Sequence, residues 1–452
     1  MGAVADALPP GPRAPAWVQA LRWAFRPTAL VRECERRYGE IYTVRGLAGG
    51  MPYVFVSNPA AIKAIATGDR DALRAGAARP ELFEPVFGRN SLLLLDGATH
   101  LRQRKLLLPP FHGERMQRYG ELIGAETERR IAAWPRGAPL ELQEEFQEIT
   151  LDVILRAVFG FETGPALARA REQIRRWLQL LASPAAMVPF VRENFGPARP
   201  WSPMARLRDR IHASLDALIR ERRADPRVAE RDDVLSMLIG ARDEDGAPMS
   251  DAELRDQLIT LLLAGHETTA TALSWAFELL LTHPEQLDAL RADLPRGDTY
   301  LNAVVHETMR LRPPIPLFDR LVCEPVEVLG HRIPEGTALA CNILAVHRRA
   351  DLYPDPLAFR PERFVGAQPE TYSWVPFGGG VRRCLGAAFA LYEMRIVLRT
   401  VLERTEMSAL DPQPGRYFRR AIVLGPRSRS RVVLRPPRTT PSPRRPALSS
   451  SS

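Results

Sequence analysis

Apolar residues recur every three or four positions through most of the chain, the pattern of helices that bury one face. Helical periodicity runs through "NPAAIKAIATG", "THLRQRKLLL", "ERMQRYGELIGAETERRIAAW", "QEEFQEITLDVILRAVFG", "GPALARAREQIRRWLQLLA", "PMARLRDRIHASLDALIRERRAD", "PEQLDALRADL" and "YLNAVVHETMRLR". Ser250 followed by Glu253 forms a capping box and predicts the start of a long helix. That helix continues through "LITLLLAGHETTATALSWAFELLL". Strand alternation is rarer. "EIYTVRG" and "PYVFVSN", separated by "LAGGM", predict a hairpin, and "VEVLGHRIPEGTALAC" predicts a second β region. The expected fold is mainly α with small β-sheets.

The run from Leu258 is long enough to span a bilayer, but His266, Glu267, Thr268 and Thr269 stand at its centre. A carboxylate at mid-bilayer is expensive, so this is expected to be a buried helix of a soluble protein, with no transmembrane anchor. The N-terminus has no charged segment leading into an apolar one, which excludes a signal peptide. Met1-Gly2 is followed by Asp6 where a myristoylation motif needs Ser or Thr. The stretch Trp17 to Phe25 is amphipathic and leaves a membrane-surface contact open. Residues 1–15 read as a proline-rich arm, 16–436 as one domain and 437–452 as a disordered Pro/Ser/Arg tail with almost nothing to bury. There is no internal repeat.

Composition is that of an ordinary globular chain: 452 residues, 45% hydrophobic and 25% charged. The net charge of +9 rests on arginine, because the only lysines are Lys63 and Lys105. The arginines are scattered and not interleaved with aromatics, so they reflect a GC-rich genome and not a nucleic-acid surface. A basic face for an acidic protein partner remains compatible with this charge. The four cysteines, Cys34, Cys323, Cys341 and Cys384, form no CxxC pair. That spacing excludes a disulfide framework and points to a reducing, cytoplasmic setting.

One cysteine carries the candidate chemistry. "PFGGGVRRCLGAAFALYEM", from Pro376, is a glycine-rich loop running into a helix. Glycines let backbone lie close to a flat, bulky group and leave N–H groups to point at a sulfur. Cys384 sits at the start of the following helix, whose positive end favours a thiolate, and Arg382 adds charge. Such a thiolate suits a nucleophile, a zinc ligand or a haem ligand. Zinc needs further Cys or His at close spacing, and none is there. A nucleophile needs a His base, which the sequence does not place.

The spacing Phe377-x-x-Gly380-x-Arg382-x-Cys384-x-Gly386 resembles the haem-binding signature of the cytochrome P450 family. Five specified positions match by chance on the order of once in ten thousand chains. Three further motifs agree in order. "AGHETT", Ala264 to Thr269, is similar to the family's oxygen-activation groove, in which Gly265 makes room and Glu267 and Thr268 guide protons; His266 falls at a variable position. "HETMR" places Glu307 and Arg310 one turn apart, and with Arg363 of "FRPERF" the resemblance implies a buried structural network. In "GATHLRQRKLLLPPF", His100 and Arg104 share a helix face. The family's matching helix clamps haem propionates, often with Trp where His100 stands, and Arg320 and Arg382 resemble further propionate ligands. "LPPGP", Leu8 to Pro12, looks like the family's proline-rich hinge.

The resemblance implies a large helical domain around haem b with a smaller β-rich N-terminal region. It implies Cys384 as the metal ligand, with His100, Arg104, Arg320, Phe377, Gly378, Arg382 and Gly386 also binding the cofactor. It implies Glu267 and Thr268 as catalytic residues. O2 is the implied co-substrate. NAD(P)H electrons arrive indirectly, through a ferredoxin or flavodoxin and its reductase, because the chain has no room for a fused reductase. Family position suggests a pocket lined by Phe83, Phe87, Thr260, Leu263, Ala264, Ile315, Leu317 and Phe318, with the segment Phe83 to Leu94 as a lid. The expected substrate is a lipophilic small molecule: a fatty acid, terpene, steroid or polyketide. The expected protein is a monomeric monooxygenase. The alternatives are a peroxide-driven or rearranging haem-thiolate enzyme, and a non-catalytic haem sensor.

Overall fold

In the computed structural model a 32-residue helix, Asp251–Thr282, forms the axis of the fold. Residues 8–47, 50–68, 72–78, 80–111, 113, 115–161, 164–182, 199, 202–420 and 422–435 are described. The first seven residues of the expected arm and the whole expected tail, 437–452, lie outside them.

The central helix begins where the capping box places it. Ser250 Oγ accepts from the Glu253 N–H at 3.2 Å, and Glu253 Oε2 accepts from the Ser250 N–H at 2.8 Å. Its C-terminal half is buried almost all round, from Thr269 to Leu280. This half packs on the helices Leu142–Ala157, Thr299–Leu311 and Ala387–Arg404. Phe146 and Phe277 stack there at 5.2 Å, inside one apolar core that also holds Ile123, Leu273, Val304 and Val397. A second core, around Trp177, Ile219, Leu238 and Leu258, packs on the N-terminal half. All eight expected helical stretches are helices, and the sequence analysis did not anticipate Pro27–Tyr38, Pro80–Phe87 and Val234–Gly240.

The larger sheet orders its strands Ile41–Val44, Tyr53–Val56, Ala338–Asn342, Leu317–Val322 and Leu73–Arg74. The expected hairpin pairs Ile41 with Val56 and Val44 with Tyr53. The second β region folds into a small hairpin, Val326–Val328 with His331–Ile333, and then crosses to lie parallel to Tyr53–Val56. The proline-rich arm is tied to this sheet: the Pro10 and Pro9 carbonyls accept from the Thr43 N–H and hydroxyl at 3.0 and 2.6 Å. The end of the described chain is also sheet. Arg431–Leu434 lies between Pro139–Glu141 and Met407–Ala409, and Tyr417–Arg420 pairs with Val423–Pro426.

No described helix is long and apolar enough to cross a membrane. The four cysteines are free, as their spacing implies.

Candidate functional site

Cys384 stands on a loop closed by its own backbone. Its N–H donates to the Phe377 carbonyl at 2.9 Å, and the Gly378 N–H donates to the Val375 carbonyl at 3.0 Å. The helix that follows starts at Ala387 with Gly386 as its N-cap, so Cys384 lies just ahead of the first turn. The Gly386 N–H points at the sulfur and, with Arg104 and Arg383, favours the thiolate. Burial works against them and pushes the thiol pKa up. Yet Cys384 presents open surface. Ala264, midway along the central helix, is likewise exposed, and Thr268 one turn on is partly so.

The glycines of this loop answer to protein neighbours. Gly380 has φ +62°, and a Cβ there would lie 2.1 Å from the Ala66 carbonyl oxygen. A Cβ on Gly379 would meet Tyr372 at 2.8 Å. These two residues let the loop press against the helix Pro59–Thr67. Only Gly386 opens onto free space, with nothing within 4 Å of its absent Cβ. The expectation that the glycine run makes room for a flat group therefore narrows to Gly386. Gly265 is corrected in the same way: its missing Cβ would lie 3.0 Å from Ile154, so its smallness serves helix packing.

Four basic side chains converge beside this loop. His100 and Arg104 come from the helix Gly97–Leu107, Arg320 from the strand Leu317–Val322 and Arg382 from the cysteine loop. His100 is buried, and burial together with Arg382, Arg104 and Arg320 pushes its pKa down to about 3. Its ring is therefore neutral at physiological pH. Arg104 has its pKa lowered by burial and by Arg382 and Arg383, while Cys384 opposes the shift. The same neighbours thus link the cations to the thiol. Arg382 also donates to Asp96 and to the carbonyls of Leu92 and Leu95, the first of these at 3.2 Å. It reaches the cluster with an acid already on it. Arg320 is buried, with its guanidinium 5.5 Å from the Phe318 ring centre.

On the central helix, Thr268 Oγ1 donates to the Ala264 carbonyl at 2.6 Å, the back-bond expected of a helical threonine. Glu267 is held from two sides. Gln147 Nε2 donates to its Oε2 at 2.7 Å, and Arg420 Nε lies 3.0 Å from its Oε1. Burial raises the Glu267 pKa, and Arg420 and Gln147 limit the rise. Neither partner was found from sequence. Gln147 shows no spacing relation to Glu267, and Arg420 sits in a short polar strand, "YFRR", with no motif around it.

The family's sequence model for cytochrome P450 matches residues 9–430. The chain belongs to the cytochrome P450 family. It is 41% identical over 443 residues to a Mycobacterium tuberculosis protein that carries the provisional name cytochrome P450 137, covering 96% of this chain and 93% of that one. It is 42% identical over 435 residues to the provisionally named cytochrome P450 135B1 of Mycobacterium bovis, covering 95% and 91%. The retinoic acid-bound cyanobacterial CYP120A1 superposes with a TM-score of 0.82 at 26% identity, over 94% of this chain and 99% of that one. The haem domain of cytochrome P450DA shares the fold, with a TM-score of 0.80 at 22% identity over 95% and 97%.

The P450 charged network is complete. Arg310 forks onto Glu307 with bonds of 2.6 and 2.7 Å, and both side chains are fully buried. Arg310 also donates to the carbonyls of His347 and Pro356 at 2.7 and 2.8 Å. Glu307 accepts from the Arg360 N–H at 2.9 Å and from Arg363 Nε at 3.3 Å. His347 extends the network: Nδ1 meets the Arg310 carbonyl at 3.0 Å and Nε2 accepts from the Val375 N–H at 2.8 Å. Val375 opens the cysteine loop, so the network supports that loop.

The expected pocket residues divide. Ala264 is exposed, and Phe83 and Phe87 meet edge to face at 5.6 Å. Thr260 Oγ1 is engaged with Ser91 Oγ at 2.7 Å and the Asp256 carbonyl, also at 2.7 Å. Leu263 packs on the second core, Phe318 packs against the core of the larger sheet, and Ile315 is half-buried. Leu317 is a correction. Its side chain is buried with Leu30, Tyr42 and Phe55 in a core of the larger sheet, because strand alternation turns it away from its neighbour Phe318. The expected lid is stapled to the central helix: Asp256 accepts from the Asn90 N–H and side chain at 3.1 and 2.8 Å, and Gln257 Nε2 donates to the Asn90 carbonyl at 2.6 Å.

Proposed function

We propose that this P450 is an O2-dependent haem-thiolate monooxygenase that inserts one oxygen atom into a lipophilic small molecule. Cys384 would hold the iron of haem b. Arg104, Arg320 and neutral His100 would receive the propionates, with Arg382 beside them. The residues fit such a group: one open thiol, one glycine with free space and a convergence of cations for two carboxylates. When bound, haem with a thiolate ligand supplies the electron-rich iron that favours O–O cleavage.

The chain's own part is proton supply, positioning and exclusion of water. Glu267 holds a proton-exchanging carboxyl between Gln147 and Arg420, next to Thr268. This pair is the observation that carries the reading over a peroxide-driven or rearranging enzyme, which has no need of delivered protons. Electrons would come from a separate ferredoxin or flavodoxin and its reductase. A lipophilic substrate is consistent with the name of the retinoic acid-bound relative.

The test begins with the absorption spectrum of the reduced protein under carbon monoxide. A strongly red-shifted Soret band in wild type, lost in Cys384→His, is expected. Products are then profiled from fatty acids, terpenes, steroids and polyketides under labelled O2. A red-shifted band with no label in any product, but turnover with peroxide, overturns the O2-dependent reading.

A further inference from the structure

The helix Ala16–Phe25 leaves three large apolar side chains open: Trp17 at 67%, Leu21 at 45% and Phe25 at 60%. They stand at i, i+4 and i+8, so they form one stripe along the helix. The opposite face is occupied. Gln19 is buried and its Nε2 donates to the Pro12 and Ala14 carbonyls at 3.1 and 2.7 Å. Trp23 packs edge-on against Phe55 at 5.5 Å and lies under the Arg419 guanidinium. The helix is thus fixed to the larger sheet and to the strand Tyr417–Arg420, with its apolar stripe outward. Scattered exposed hydrophobic residues are common, but three aligned on one rigid helix are not scattered.

Charge around the stripe indicates what covers it. Arg13 and Arg26 are exposed before and after the helix, and Arg45 is exposed beside its start, where its N–H donates to Gln19 Oε1 at 2.9 Å. Among the described residues none of these three arginines is paired with an acid. Glu33, which is near, is already held by Arg22 at 2.5 Å. Phe418, on the strand that this helix contacts, is also exposed, two residues after exposed Arg416. An apolar stripe with an interfacial tryptophan, bracketed by unpaired cations, matches a surface of anionic lipid.

We propose that the helix Ala16–Phe25 is a peripheral contact for an anionic membrane surface, with Trp17, Leu21 and Phe25 entering the headgroup boundary and Arg13, Arg26 and Arg45 meeting lipid phosphates. A second protein would need a wider complementary face than three side chains give. The proposal does not depend on the substrate or the redox chain.

The test is sedimentation of the haem-loaded, full-length protein with vesicles of phosphatidylcholine alone and with a quarter of phosphatidylglycerol. Wild type is expected to pellet with the anionic vesicles and to be released by salt. The triple variant Trp17→Ser, Leu21→Ser, Phe25→Ser is expected to lose roughly tenfold or more of that binding. Arg13→Gln with Arg26→Gln and Arg45→Gln should lose the preference for anionic lipid. Thermal melting and the haem spectrum check that each variant is folded. Wild type that remains in the supernatant overturns the proposal, and so does a triple variant that binds undiminished. A concentration-dependent dimer, abolished by the triple variant and indifferent to lipid, assigns the stripe to a second copy and also overturns it.

Discussion

Arg420 Nε lies 3.0 Å from Glu267 Oε1, joining a C-terminal hairpin to the acid of the central helix. Burial pushes the Glu267 carboxyl towards its neutral form, and Arg420 is the cation that opposes this. Removing Arg420 leaves burial less opposed, so the Glu267 pKa rises further. Arg420→Gln is therefore expected to move the alkaline limb of coupled turnover, product formed per NAD(P)H, to higher pH, because a proton-supplying carboxyl acts in its protonated form. The variant should keep its coupling at alkaline pH values where wild type has begun to lose it. A profile that does not move separates Arg420 from proton delivery.

Glu307 and Arg310 are both fully buried and bonded to each other and to four further backbone groups, at His347, Pro356, Ala358 and Arg360. Breaking one partner of a buried pair leaves an uncompensated charge and costs about 3–5 kcal/mol. Glu307→Gln should lower thermal stability by that order and reduce retained haem. A melting temperature equal to that of wild type would contradict the supporting role.

Gly380→Ala should fail for a local reason. The new methyl would meet the Ala66 carbonyl in a residue held at φ +62°. Clash and strain together are expected to cost at least about 2 kcal/mol. A Cβ at Gly386 would meet nothing within 4 Å beyond its chain neighbours, so Gly386→Ala should fold normally, and any deficit should appear in haem binding. Equal melting losses in the two apoproteins would contradict the difference.

Glu393 is buried on the helix that follows Cys384, near Thr269, and burial pushes its pKa up to about 8. In the unfolded chain it titrates near 4.5. Between these values the native state holds the extra proton, so stability falls as pH rises through the window. The loss is on the order of 2–4 kcal/mol by about pH 8. Glu393→Gln lacks this titration. Its melting temperature should therefore gain on wild type steadily from about pH 5 to about pH 8. A constant difference across that range would contradict the raised pKa.

The long helices and the first hairpin were legible because each carries its own period and caps. Ser250 and Glu253 fixed the start of the central helix without help from any other part of the chain. The strands Pro139–Glu141 and Tyr417–Arg420 were not legible, because three or four residues are too few to show a period of their own. The helix Pro27–Tyr38 escaped for a related reason: its apolar face is short and five of its residues are arginine or glutamate. At the site, resemblance assembled His100, Arg104, Arg320 and Arg382, which spacing could not have done across three separate elements. Resemblance did not reach Gln147 and Arg420, whose roles exist only where distant elements meet. Gly265 and Gly380 show the opposite error: the motif found them, but the reason for them is a neighbouring helix.

The site also has an order of manufacture. A ribosome delivers Glu267 and Thr268 before Cys384, and Cys384 before Arg420, at about 5–20 residues per second. On the order of ten seconds therefore separates the acid of the central helix from its thiol counterpart. The strand Arg431–Leu434, which holds Pro139–Glu141 and Met407–Ala409 together, emerges later still. For that interval the nascent chain lacks both its cysteine loop and the helix Ala387–Arg404, whose Val397 and Val401 belong to the main core. On the proposed reading haem would be held only once Cys384 has emerged, so a chain that stalls before its last fifth would yield helices without a centre to serve.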